Sequence, residues 1–209
     1  PRELLQLFSV GLYMLNPDGT YQVDGQGNRI PTYDQAKIDQ FTKVFTGWTQ
    51  CSNGSNPACA NIAVGAPNFI DPMVLLTPNN HDQTQKTLFD YAGAPNPVIA
   101  ACSNCTNDTN RRAYAEDSLN KTLDNIFNHP NVGPFIAKLM IQHFVTSDPS
   151  PAYVGRVAAA FNNNGSGVRG DMKALIKAVL LDPEARGSKK TDPAYGKMRG
   201  PLEYFTNVM

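Results

Sequence analysis

Apolar and polar positions alternate along most of the chain with a helical period. In "RELLQLFSVGLYML", Leu4, Leu5, Leu7, Phe8, Gly11, Leu12 and Leu15 form one stripe. "NPDG" at 16–19 breaks it with turn chemistry. "TYQVDGQGNRIP" then reads as a small β-hairpin around Asp24-Gly25. The next helix is signed by Thr32 and Gln35 as a capping box, by Ile38, Phe41, Val44 and Phe45 as its apolar face, and by Gly47 as its stop. Residues 49–112 lose all periodicity. Helices return from Glu116 to Asn128 (Leu119, Leu123, Ile126, Phe127 inward), and after "HPNVGPF" with Phe135, Ile136, Leu139, Met140 and His143 on one face. Tyr153 to Phe161 is helical and ends in "NNNGSG". Asp171 caps Met172 to Leu181, with Leu175, Ile176, Val179 and Leu180 inward, and a short helix closes the chain from Leu202 to Met209. The expected class is all-α, orthogonal or bundle-like, with a small β-hairpin and a long irregular disulfide-bearing segment. The expected organisation is one helical domain over 1–209, with 49–112 as a Cys-containing insertion.

Composition narrows the partners. The 209 residues carry 18 Lys+Arg and 18 Asp+Glu, a net charge of +0, and no basic run with interleaved aromatics. Phosphate binding needs surplus cations, so nucleic acid is not an expected partner. No stretch of about 18 apolar residues exists that would span a membrane. Pro1 leads directly into a helical pattern, which reads as a piece of a longer chain with any targeting segment outside it.

The four cysteines, Cys51, Cys59, Cys102 and Cys105, lie in the Ser- and Asn-rich "CSNGSNPAC" and "CSNC". An even number in polar loops reads as disulfides in an oxidising compartment, so the chain is expected to be secreted or periplasmic. Of three pairings, Cys51–Cys59 with Cys102–Cys105 is the simplest. Zinc and redox chemistry are the rivals, weakened by a Cys-x7-Cys spacing and by a Cys-x-x-Cys without a strand before it.

The chemistry-bearing stretch is "NNHDQTQK", 79–86. An adjacent His81 and Asp82 can act as an acid/base pair; equally, Asn80 or Asp82 can cap a short helix over "QTQKTLFDYAG" with His81 exposed. Neighbours on a regular helix do not face each other, so a joint site needs a bent loop. His129, before Pro130, reads as a helix-end structural residue, and His143 as a core histidine on an apolar face. Trp48 is a core anchor or a sugar platform. Glu3 opens the first helix beside Arg2. Asp24, Gln26 and Asn28 alternate as calcium ligands might, but Arg29 and Gln35 stand where such a loop needs Gly and Glu. No metal or cofactor is expected. The usual serine hydrolase, zincin and P-loop signatures are absent.

Six stretches, "PRELLQLFSVG", "PTYDQAKIDQFTKVFTGW", "HDQTQK", "IFNHPNVGPFIAKLMIQHFV", "GDMKALIKAVLLDPEAR" and "KMRGPLEY", occur in this order and resemble a large bacterial family known as domain of unknown function 1800. The likeness covers nearly the whole chain and implies the C-terminal half of that domain. It marks Arg2, Glu3, Gly11, Gly47, Trp48, His81, Asp82, Lys86, His129, Pro130, Lys197 and Pro201. Gln6 stands where many members carry Glu. Genes of the family often neighbour those of exported sulfatase-like proteins. Two functions are expected. One is a hydrolase of glycosidic bonds in extracellular polysaccharide, with His81, Asp82 and Glu3 as acid/base groups and Trp48, Arg2 and Lys86 on the substrate. The alternative is a non-catalytic binding or assembly module partnering an exported sulfatase-like enzyme.

Overall fold

The computed structural model describes residues 1–51, 68–75, 77–193, 195–197 and 200–208. The chain divides into two compact units: Pro1–Arg2 with Tyr33–His129, and Glu3–Thr32 with Pro130–Met209. Helices dominate, in keeping with the all-α expectation.

In the first unit, helix α2 (Gln35–Phe45) and helix α3 (Asp108–Phe127) flank an irregular segment. Asp34, not Thr32, caps α2, accepting from Lys37 N. Ile38, Phe41 and Val44 are buried as the spacing requires. Gly47 follows at φ +79°, the left-handed conformation that stops a helix. The irregular segment carries two short antiparallel ladders. Strand β1 (Trp48–Thr49) pairs with β2 (Val74–Leu75), and β3 (Lys86–Thr87) with β4 (Val98–Ile99). The expected helix over "QTQKTLFDYAG" is therefore absent. Burial alternates only across the strand, with Lys86 in, Thr87 out and Leu88 in. Leu88 N also donates to Pro97 O across the hairpin (2.8 Å) and not to Thr84 O, as a helix would require.

Helix α3 starts eight residues before Glu116, capped by Asn107. Its buried face is Ala115, Ser118, Thr122, Asn125 and Ile126, whereas Leu123 and Phe127 are exposed. Asn125 is buried because it meets backbone. Asn125 accepts from Phe89 N (3.1 Å) and donates to Phe89 O (2.9 Å) and Pro95 O (2.8 Å).

In the second unit, helix α1 (Arg2–Phe8, counted from Glu3 here) stops well short of Leu15. Leu5 O accepts from both Val10 N and Gly11 N, and Gly11 sits at φ +73°. The chain then forms a narrow meander through the bridges Tyr13↔Pro31, Leu15↔Tyr21 and Val23↔Arg29. The expected hairpin is thus present as bridges, and its left-handed turn residue is Gly27 (φ +84°) rather than Gly25. Helices α4 (Val132–Phe144), α5 (Pro151–Asn162) and α6 (Met172–Leu181) pack through Ala137, Ile141, Val154, Val157, Leu175 and Val179. Asp171 caps α6 as its sequence position suggests, accepting from Lys173 N and Ala174 N. The buried face of α4 is shifted from the expected one: Val132, Ala137 and Ile141 are inward, and Leu139 and His143 are exposed. Ile176 and Leu180 are likewise exposed on α6. Arg156 grips Asp182 with two bonds of 2.8 Å and fixes the start of helix α7 (Pro183–Arg186). Helix α8 (Pro201–Val208) follows.

Candidate functional site

The "HDQTQK" stretch folds against the end of α2. A Cβ on Gly47 would come 3.1 Å from His81 N and 3.2 Å from Asn80 C, so a glycine there lets the two segments touch. Thr46 supplies both anchors. Its carbonyl lies 3.0 Å from His81 Nδ1, and its hydroxyl accepts from Asp82 N at 2.7 Å. Since a carbonyl only accepts, His81 carries its proton on Nδ1 in this bond. His81 is 2% exposed, and its Nε2 is buried with no hydrogen-bond partner among the described residues. Burial lowers its pKa, opposed by the Thr46 bond and assisted by the Lys86 charge. The ring is therefore neutral at neutral pH.

Asp82 turns the other way. Its Oδ1 accepts from Thr84 N (2.9 Å) and Thr84 Oγ1 (2.6 Å), a local turn motif. Burial raises its pKa, but the Thr84 bonds and the Lys86 and Lys43 charges outweigh that and hold the carboxyl below its ordinary value. His81 and Asp82 thus serve different partners and do not form a hydrogen-bonded dyad.

Lys86 is fully buried at 0% exposure. Its ammonium donates to Asp82 O (2.6 Å), Thr84 O (3.1 Å) and the Tyr114 hydroxyl (3.1 Å). It lies 3.8 Å from Asp82 Oδ1 and 4.7 Å from the Tyr114 ring centre. Three acceptors match the three N–H groups of an ammonium. Burial pulls its pKa down to about 8, with Asp82 pulling upward. The Tyr114 hydroxyl donates to Ala100 O (2.9 Å) and Thr84 O (3.2 Å), and burial raises its pKa. Lys86 thus folds residues 82–86 around its own charge.

The remaining candidates are dispersed. Trp48 is half-buried in β1, with Nε1 buried and unpartnered among the described residues. Arg2 is exposed and donates to Gln35 Oε1 at 2.7 Å. Glu3 is exposed and belongs to the other compact unit. His129 is buried between the rings of Phe89 (4.9 Å) and Tyr91 (5.0 Å), a structural position. His143 is exposed at the end of α4 and so is not a core residue; the helix face that packs inward is the one through Ala137 and Ile141. Lys197 donates to His143 O at 2.7 Å. Sequence reading missed Thr46, Tyr114 and Asn125, whose side chains bond to backbone atoms 14 to 36 residues away in sequence. No local pattern marks such residues.

Cys102 and Cys105 form the expected disulfide. Cys51 is also disulfide-bonded and buried; Cys59, its expected partner, lies outside the described residues. Among the described residues no helix is long and apolar enough to cross a membrane. No curated protein and no solved structure matches the chain. The family model described as "Protein of unknown function (DUF1800)" matches residues 1–209, and the chain belongs to that family over its whole length.

Proposed function

We propose that the chain is a binding or assembly module of an exported protein and works beside an exported enzyme. The observation that carries this reading is the turn built on Asn68. Its side chain is buried, accepts from Ile70 N (3.0 Å) and Asp71 N (3.1 Å), and donates to Asp71 Oδ2 (2.8 Å). The turn is held fast while Phe69 and Ile70 stand 89% and 84% exposed, with Met73 exposed nearby. Large apolar side chains kept in water by an ordered turn suit a protein contact. Meanwhile Asp82 and Lys86 spend their polar atoms on neighbouring groups of their own chain, which suits a scaffold better than a reacting site. The Cys102–Cys105 disulfide supports export.

The test is co-expression with an exported sulfatase-like protein encoded beside a family gene, followed by light scattering on a sizing column. A complex is expected, weakened at least roughly tenfold in a Phe69→Ser/Ile70→Ser variant of unchanged circular dichroism. Two separate species with wild type would sink the reading.

A second reading, hydrolysis of glycosidic bonds in extracellular polysaccharide, draws on one observation. His81 Nε2 is a buried lone pair without a partner among the described residues, the state of a general base. In that reading Asp82 is a further acid/base group and Trp48 and Arg2 contact sugar, while Lys86, fully buried, holds the loop. Release of reducing ends from a polysaccharide panel tests it. A loss of about a hundredfold in folded His81→Ala supports it, and no release by wild type removes it.

A further inference from the structure

The unit of Glu3–Thr32 and Pro130–Met209 contains a groove of about 400 Å³, within the size range of ligand pockets. Its walls are mainly apolar: Leu7, Leu12, Tyr13, Phe135 and Leu139. Phe135 reaches in because Gly11 has no side chain; a Cβ there would meet the ring at 3.0 Å. Leu7, Leu12 and Leu139 are 49%, 47% and 41% exposed, so the walls are open to a ligand. Three side chains with amide or ammonium ends line the same groove: Gln142 donates to Ser147 O at 3.1 Å, whereas Gln6 and Lys138 neither hydrogen-bond nor ion-pair with any described residue.

The composition of the walls selects the ligand. A sugar is gripped best by free tyrosine or tryptophan faces, and the two tyrosine rings of the groove are already paired. Arg29 lies 4.0 Å over the Tyr21 ring and 5.6 Å over Tyr13, whose ring meets Tyr21 edge to face. The leucines that remain suit a hydrocarbon chain. The unpartnered Lys138 then calls for an anion at its end. An adjoining cavity of about 290 Å³ shares Lys138 and also holds Asp18 and Asp148. Asp18 is occupied by Thr20 N and Oγ1 (3.0 and 2.6 Å), while Asp148 is exposed. One lysine beside these carboxylates tolerates a single negative charge and disfavours two.

We propose that this groove binds an aliphatic monocarboxylate, with the chain along Leu7, Leu12 and Leu139 and the carboxylate on Lys138 with help from Gln6. The proposal goes beyond the assembly reading and stands or falls separately from it.

Calorimetric titration with decanoate, below its micelle concentration, tests it, with decanol, decyl phosphate and decyltrimethylammonium as comparators. Saturable one-to-one binding of decanoate is expected, tightening by up to about fourfold per added methylene. Lys138→Gln should weaken decanoate about tenfold and leave decanol unchanged. Leu12→Gln and Leu139→Gln, both at exposed positions, should weaken both ligands. Asp148→Asn should favour decyl phosphate. Absence of saturable decanoate binding, equal decanoate affinity in Lys138→Gln, or tighter binding of the ammonium compound would each overturn the proposal.

Discussion

The irregular segment between α2 and α3 and the α4–α5–α6 layer are held by different means. The segment is tied down by side chains that bond to backbone. Lys37 donates to Leu88 O (2.7 Å), Lys43 to Gln85 O (3.3 Å), Gln40 accepts from Thr87 N (3.3 Å), and Asn125 brackets Phe89. The three helices satisfy their own backbone and meet through Ala137, Ile141, Val157, Leu175 and Val179. The reason is an accounting one. Strands of two residues leave most backbone groups without ladder partners, and buried ones must find them elsewhere. Helices need only complementary volume. A few named polar residues therefore govern the segment, while the helices depend on a distributed apolar set.

The largest expected effect comes from the two buried asparagines. Asn125 serves three backbone groups in its unit. Asn131 does the same in the other, accepting from Leu15 N (3.0 Å) and donating to Val10 O (2.8 Å) and Tyr13 O (2.9 Å). Leucine at either position leaves those groups unpaired, at roughly 4 kcal/mol in all. Ile141→Val in the helical layer should cost only about 1 kcal/mol. Urea denaturation checks both values. If Asn125→Leu and Ile141→Val cost the same, the comparison fails.

Lys86→Met comes next. The change keeps most of the volume but strands Asp82 O and takes a donor from Thr84 O and from the Tyr114 oxygen, an expected loss of roughly 3 kcal/mol. Lys177→Met, exposed on α6, should stay within about 0.5 kcal/mol. Lys86 also sets a pH dependence. Its folded pKa is lowered from 10.5 to about 8, so between those values the unfolded chain binds more protons. Stability should therefore rise with pH across that window, and the rise should be smaller in Lys86→Met. Denaturation midpoints at the two ends of the window, for both proteins, measure it.

How much of this was legible in the sequence follows the same division. The cap and extent of α6, the buried stripe of α2 and the Cys102–Cys105 bridge are local properties and could be read directly. The end of α1 depends on Gly11 adopting a left-handed turn in the middle of an apolar stripe, which periodicity alone conceals. The face of α3 was misjudged because Leu123 and Phe127 are outward while Ser118 and Thr122 are inward. At Asn125 the helix meets backbone with a polar side chain, which inverts the usual rule. "HDQTQK" stood out by composition, but its bent loop rests on Thr46, 35 residues earlier, and on Tyr114, 28 residues later. Neither can be reached from spacing.

His81 offers a smaller test in the same unit. Burial lowers its folded pKa from 6.5, so on acidification the unfolded chain takes the proton first. The stability present above about pH 6.5 should decline as the pH falls through that value, and His81→Phe should remove this part of the decline. The fall owed to Asp82 is separate, because its pKa is lowered from 3.8 and its contribution is lost only in stronger acid. Thermal midpoints at about pH 7.5 and 5.5 isolate the histidine. A pH dependence identical in wild type and His81→Phe would mean that the ring's burial does not couple to folding.

The smallest expected effect sharpens the comparison most, because it holds sequence spacing constant. Asp82–Lys86 and Asp117–Lys121 are both acid–lysine pairs at i and i+4. The second lies on the surface of α3, with side chains 50% and 40% exposed and a 2.6 Å contact. The first is longer at 3.8 Å, but its lysine is fully buried and also holds two carbonyls. By distance alone Lys121 would matter more. Water screens the exposed pair, and holding two long side chains together costs entropy, so Lys121→Met should change stability by about 0.3 kcal/mol. The ratio to Lys86→Met is then roughly tenfold for the same two residue types at the same spacing. An equal loss at both positions would assign the stabilisation to the ion pairs themselves, not to the backbone carbonyls that Lys86 satisfies.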